Sequence, residues 1–558
     1  MKRVRQAVGL VSFFAILGFH QTAYSAPKIP QALLEDSLVY CSNASGFSFN
    51  PQRADVGTNM NVVTEQIYDK LIEFDPVTNS LKPSLAERFE ISDDGLTITL
   101  HLRKNVAFQQ TNWFTPTRKF NSEDVVFSLN RVMGKSVDLP ALNQPQNNPH
   151  HYRQNEIYRE IANRTHFPYF ESIDLKNKIE SVSAPSNYVV KIKLTEPDAS
   201  LLAHLASQYA VILSKEYALQ LNADENLVQL DILPVGTGVY QLESYVQNDH
   251  VRLRPHSGYW GKKAEITNMI VDLSTTGTGR MAKFLNGECD ISAFPEPSQI
   301  SILKPEEGYL VESAGANLAY LAFNVQRSQM HSLELRHRIA EAIDRERLAN
   351  VLFYGVAEVA ENVLPKALFP EKNPYSYLYM PSVENGKKSA ERDRLILWVI
   401  DEKRIYNQHP LKMAELIRAD LAKVGIDLTV RQVSRAYLTQ QLEKGEADYD
   451  LILSGWLANN FDPDSFLAPI LGCQSLSSVT NLANWCSEEF DYLLRSARAS
   501  EDKEVRMLLY KQAQQLLEQQ LPILPLVNVN RLLVVKNDIE GVSISPFGQV
   551  KLSVIKFE

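Results

Sequence analysis

Apolar and polar residues alternate along Leu96, Ile98, Leu100 and Leu102, and again along Val190, Ile192 and Leu194. That period of two marks strands with one buried face. Asp93-Asp94-Gly95 supplies a turn ahead of the first run. Elsewhere the period lengthens. Leu335, Ile339, Ala342, Ile343 and Leu352 fall near helical spacing, as do Met413, Leu416, Ile417, Leu421 and Val424, which stop at Gly425. A glycine there suits the residue that follows a helix C-terminus. Ile426, Leu428 and Val430 alternate directly afterwards, and helix followed by strand in the second half predicts an α/β lobe. Between Asp138 and His166 the chain is rich in Asn, Gln, His and Pro and poor in apolar positions, which predicts a long surface insertion.

The N-terminus has a different texture. Lys2, Arg3 and Arg5 precede an apolar run from Ala7 to Phe19, and Ala23-Tyr24-Ser25 supplies the small residues a signal peptidase reads. The segment is expected to be a cleaved secretory leader covering residues 1–25, with the mature chain starting at Ala26. Its apolar run falls short of the roughly 20 residues that span a bilayer. The remaining chain of about 530 residues exceeds what one hydrophobic core usually supports, so at least two domains are expected.

Formal net charge is −9, and loss of a leader with three basic and no acidic residues takes it to −12. Nucleic acid is therefore a poor candidate partner, because phosphate binding is driven by Lys and Arg. A cationic ligand is compatible, since an acidic surface accelerates its encounter. Cys41, Cys289, Cys473 and Cys486 all survive cleavage. An even count in an oxidising compartment predicts two disulfides from three possible connectivities, and sequence proximity favours Cys473 with Cys486.

Catalytic and metal signatures fail one by one. Gly134-Lys135-Ser136 mimics the end of a phosphate-binding loop, but Leu129 holds the position of its first glycine. Gly277-Thr278-Gly279-Arg280-Met281-Ala282 fits a dinucleotide fingerprint but sits in the middle of a chain that reads as secreted, so it reads as a plain strand-to-helix turn. His150-His151 and the His331, His337 pair lack the spacing of helical metal ligands, and no nucleophile elbow is present. The sequence thus points away from an enzyme, and no cofactor or metal is implied.

A series of segments gives the positive signal. Pro83-Ser84-Leu85-Ala86-Glu87 leads to Ser92-Asp93-Asp94-Gly95-Leu96-Thr97, then His101-Leu102-Arg103-Lys104-Asn105-Val106 and Ser122-Glu123-Asp124-Val125-Val126-Phe127-Ser128. Pro234-Val235-Gly236-Thr237-Gly238-Val239-Tyr240, Gly258-Tyr259-Trp260-Gly261, Tyr320-Leu321-Ala322-Phe323-Asn324 and Ala342-Ile343-Asp344-Arg345 follow in order. Gly455-Trp456 with Asp462-Pro463-Asp464-Ser465-Phe466 completes the set. Over nearly the whole mature chain this resembles the dipeptide and oligopeptide periplasmic binding proteins, the peptide-binding components of ABC importers. Tyr40-Cys41-Ser42, Leu453-Ser454-Gly455-Trp456-Leu457 and Asn484-Trp485-Cys486-Ser487-Glu488-Glu489-Phe490 are most similar to the Sap-type branch, associated with sensitivity or resistance to antimicrobial peptides.

The resemblance implies an α/β, two-lobed Venus-flytrap fold with mixed sheets. Lobe one would comprise 26–315 and a C-terminal return, 529–558, and lobe two 316–528. It supports the disulfides Cys41–Cys289 and Cys473–Cys486, one in each lobe. It implies a peptide ligand, an inner-membrane permease as partner, a periplasmic location and a monomer. Haem is a side ligand in the wider family and stands as an alternative cargo, with a periplasmic chaperone or sensor as a further alternative. In the dipeptide binders an Arg receives the ligand carboxylate, and that position matches Arg404 with Tyr406 beside it. The Asp that receives the ligand ammonium follows the Gly-Trp pair, and here Asn459 stands in its place after Gly455-Trp456. Asn accepts a hydrogen bond but neutralises no charge. Asp462 and Asp464 are expected to shape a turn.

Overall fold

The computed structural model describes residues 37–42, 48–54, 62–75, 80–135, 160–161, 164–224, 226–274, 276–370, 393–477 and 479–558. The leader, His150-His151 and most of the expected insertion lie outside these residues.

The alternating runs become strands whose apolar positions face inward. Thr97–Leu102 buries Ile98, Leu100 and Leu102, and it pairs antiparallel with Val189–Leu194, which buries Val190, Ile192 and Leu194. Gly95 makes the expected turn at φ +68°, with its N–H donating to the Ser92 carbonyl at 2.7 Å. Ala86–Ile91 and Ile179–Ser186 complete this four-stranded sheet.

A seven-stranded sheet has the order Tyr309–Ser313, Arg531–Val535, Ile291–Ala293, Leu38–Cys41, Met269–Asp272, His250–Pro255, Tyr240–Val246. Its core is continuous with that of the four-stranded sheet. A six-stranded sheet has the order Ala357–Val359, Ile523–Val529, Asn317–Phe323, Leu451–Leu457, Asp393–Ile400, Ile426–Val433. Helices cover it and enclose two further apolar clusters, one containing Trp398 and Phe466, the other Met413, Ile417 and Leu421. The fold is thus α/β with two lobes.

The chain passes between the large sheets twice, after Ser313 and after Val529. Asn317 stitches the crossings together: its Nδ2 donates to the Val529 carbonyl at 2.7 Å, and its Oδ1 accepts from the Val529 N–H at 3.0 Å. Gly315 fits there because a Cβ would lie 1.9 Å from that same carbonyl oxygen. Cys41–Cys289 joins neighbouring segments of the seven-stranded sheet and Cys473–Cys486 closes a short loop in the other lobe, so neither disulfide crosses the hinge.

Two helical expectations need correction. Leu335 to Leu352 is not one helix: Leu333–Ala342 ends before Asp344, whose side chain accepts from Arg347 N–H at 2.9 Å and starts a second helix, Arg345–Phe353. Val424 lies beyond the last turn of Pro410–Lys423 and is exposed, while Asp420 is buried on the helix face instead. The rejected motifs are local turns. Gly134, at φ +61°, follows the helix Ser122–Val132, and Gly277 opens the helix Gly277–Leu285 after a strand.

Candidate ligand site

Three strands of the six-stranded sheet run parallel: Asp393–Ile400 pairs in register with both Ile426–Val433 and Leu451–Leu457. Their carboxyl ends fall on one edge of the sheet, where loops of α/β folds gather ligands. Residues 401–407, Ser434-Arg435 and 458–462 leave from those three ends. The expected site residues are therefore brought to one edge.

Arg404 opens a tight turn in which its backbone exchanges two hydrogen bonds with Asn407, at 3.1 and 2.9 Å. Its guanidinium donates to Glu402 Oε2 through Nε at 3.2 Å and Nη2 at 2.6 Å. Arg435, one residue past the helix-capping Ser434, donates from Nε to the same oxygen at 3.1 Å. Burial works against ionisation of Glu402, but the two arginines overcome it and hold its carboxyl below the usual range. Tyr406 is buried, and burial raises its hydroxyl above the ordinary phenol value even though Arg435 lies beside it.

Gly455 is required by this arrangement. A Cβ there would come within 2.3 Å of the Tyr406 ring and 2.6 Å of the Leu318 carbonyl. Trp456 is buried in the apolar cluster that contains Trp398 and Phe466, and its indole N–H has no partner among the described residues.

Asn459, Asn460 and Phe461 leave the strand Leu451–Leu457 and meet the opposite lobe in succession. Asn459 Oδ1 accepts from Gln208 Nε2 at 3.0 Å, and both side chains are buried. Asn460 Nδ2 reaches the Tyr169 hydroxyl at 3.4 Å, which in turn lies 2.9 Å from His204 Nδ1. The Phe461 ring stacks on Phe74 at 3.5 Å and meets Phe547 edge-on at 4.2 Å. Two more contacts join the lobes nearby: Ala199 N–H to the Arg498 carbonyl at 2.8 Å, and Lys403 to Glu296 at 3.9 Å.

Asp462 and Asp464 do take the turn. Asp462 N–H donates to Asn460 Oδ1 at 2.9 Å, and Asp464 N–H donates to Asp462 Oδ1 at 3.0 Å. Both carboxylates are also engaged, Asp462 by Arg506 at 2.6 Å and Tyr510 at 3.2 Å, Asp464 by Arg498 at 2.8 Å. Among the described residues no group of three or more His, Cys, Asp or Glu is placed to hold a metal ion.

Glu402, Arg435, Gln208 and the three phenylalanines were not singled out from sequence. Glu402 sits two residues from Arg404 and was within reach of a charge-pairing argument; the others join the site only through tertiary packing.

The family model for bacterial extracellular solute-binding proteins, family 5 (middle region) matches residues 80–478. The chain belongs to this family. It is 47% identical to the peptide transport periplasmic protein SapA of Haemophilus influenzae, over 96% of this chain and 95% of that one. It is 31% identical to the dipeptide-binding protein of Escherichia coli, over 96% and 97% of the two chains. The crystal structure of a dipeptide binding protein from Pseudoalteromonas sp. SM9913 in complex with Met-Leu superposes with a TM-score of 0.76 at 32% identity, covering 94% of this chain and all of that one. Family 5 membership makes the chain a binding protein and not an enzyme.

Proposed function

We propose that the chain is the periplasmic, peptide-capturing component of an ABC importer, and that its cargo is long and cationic, host-defence peptides included. It reaches the periplasm behind a leader ending at Ser25. Its lobes, 26–315 with 529–558 and 316–528, close on the ligand about the two crossings at Asn317 and Val529. Arg404, supported by Tyr406 against Gly455-Trp456, meets a cargo carboxylate through charge-assisted hydrogen bonds. Relatives named for peptide transport and dipeptide binding support a peptide cargo.

One observation carries the choice of a long peptide. Asn459 is uncharged, buried and bonded to Gln208, while Asp462 and Asp464 are held by Arg506 and Arg498. None of these offers an uncommitted carboxylate to a free ammonium, and an unpaired buried charge is costly. A short peptide must bury its amino terminus in the cleft, whereas a long one need not.

Calorimetry with a free-amine dipeptide and a cationic peptide of more than ten residues tests this. The long peptide should bind at least about tenfold tighter, a difference of about 1.4 kcal/mol. Asn459→Asp should narrow the gap by improving dipeptide binding. Tight dipeptide binding by the unaltered protein would overturn the reading.

A further inference from the structure

Charge bookkeeping at the sheet edge leads beyond Arg404. Two guanidiniums, Arg404 and Arg435, converge on a single carboxylate oxygen, Glu402 Oε2, at 2.6 to 3.2 Å. The neighbouring hydroxyls add no charge: burial holds the Tyr406 and Tyr320 phenols above their ordinary range, and Ser454 bonds to Tyr320. Lys403, between Glu402 and Arg404 in sequence, is paired instead with Glu296 of the other lobe. The cluster therefore carries two positive charges and one negative, a net of one positive charge.

We infer that Glu402 is a specificity-determining residue: it cancels one of the two guanidinium charges, so that the site accepts a single carboxylate and disfavours a doubly charged end. The inference rests on the proposed encounter of Arg404 with a cargo carboxylate.

The physical argument has three parts. Arg404 has five N–H donors and spends two on Glu402 Oε2, so a ligand carboxylate can be received there without expelling Glu402, while Arg435 also bonds the Tyr406 hydroxyl. Both arginines donate to that one oxygen, at 2.6 and 3.1 Å, and Glu402 thereby ties the two together as well as offsetting their charge. Finally, the three side chains are between 19% and 37% exposed, so their interactions are weakened by solvent yet still felt across the cluster. A first carboxylate brings the site to neutrality. A second would meet Glu402 with no positive charge left to offset it, and like charges at close quarters discriminate against the wrong ligand.

Glu402→Gln keeps the shape and removes the charge. Three probes share one cationic sequence of about ten residues: one with a free C-terminal carboxylate, one amidated, and one ending in Asp with a free carboxylate. Glu402→Gln should tighten the free-carboxylate peptide roughly five- to tenfold, tighten the Asp-ended peptide more, and leave the amide within about twofold. The gain should shrink as salt is raised. Arg435→Gln should move the carboxylate peptides in the opposite direction. Unchanged or weaker carboxylate binding in Glu402→Gln would overturn the inference, the weaker result meaning that Glu402 serves only to position the arginines. Arg404→Ala separates the two levels of the argument. If it fails to erase the preference for carboxylate over amide, the proposed site is wrong. If it erases that preference while Glu402→Gln changes nothing, only the role of Glu402 falls.

Discussion

His204 is fully buried beside the junction of the lobes, with Tyr169 on its Nδ1. Burial depresses its proton affinity and the nearby Lys178 depresses it further, bringing the imidazole from 6.5 down to about 4. In an unfolded chain the same ring takes up a proton near 6.5, so between these values the unfolded state binds more protons. The stability linked to His204 is complete above 6.5 and is lost as the pH falls toward 4, by about 3 kcal/mol in all. His204→Gln should flatten the fall in melting temperature between pH 7 and 4.5; an unchanged slope would assign that fall to other groups. At this scale the positions proposed for cargo contact, Arg404, Tyr406 and Asn459, come from family motifs that fix them in the chain. Gln208 and His204 were not legible, since their partners Asn459 and Tyr169 lie 251 and 35 residues away and meet them only after folding.

Elements were more legible than the contacts between them. Alternation located Thr97–Leu102, Val189–Leu194 and Ile426–Val433 because each buries one face. Helical spacing located the region from Leu335 to Leu352 but not its division, because an Asp344 cap restarts the helix without disturbing the apolar spacing. The strand Leu451–Leu457 shows why small residues matter at the site edge. Gly455 leaves room for the Tyr406 ring, so Gly455→Ala should destabilise the protein by about 3 kcal/mol in urea titrations. The penalty should fall when Tyr406 is also replaced by Ala, as a double-mutant cycle reads directly. Equal penalties in both backgrounds would show that the Leu318 carbonyl, and not the ring, sets the constraint.

For the whole molecule, the division into two lobes followed from length and resemblance, but how they meet did not. Three consecutive residues, Asn459 to Phe461, contact the opposite lobe by an amide pair, a hydroxyl and an aromatic stack. Such contacts favour closure through the protein's own groups, and apparent affinity scales with the fraction of molecules in the competent state. Phe461→Ala should therefore enlarge the radius of gyration of ligand-stripped protein in X-ray scattering and weaken every peptide by a similar factor, roughly tenfold. Losses that differ from one peptide to another would mean that Phe461 touches cargo directly. The central claim, capture of peptides by a periplasmic carrier, is tested most directly by native mass spectrometry of protein purified from periplasm without refolding. Peptide adducts, heterogeneous in mass and released on denaturation, are the predicted result. A Soret-absorbing adduct in place of peptides, or an empty cleft with affinity for unfolded chains, would contradict it.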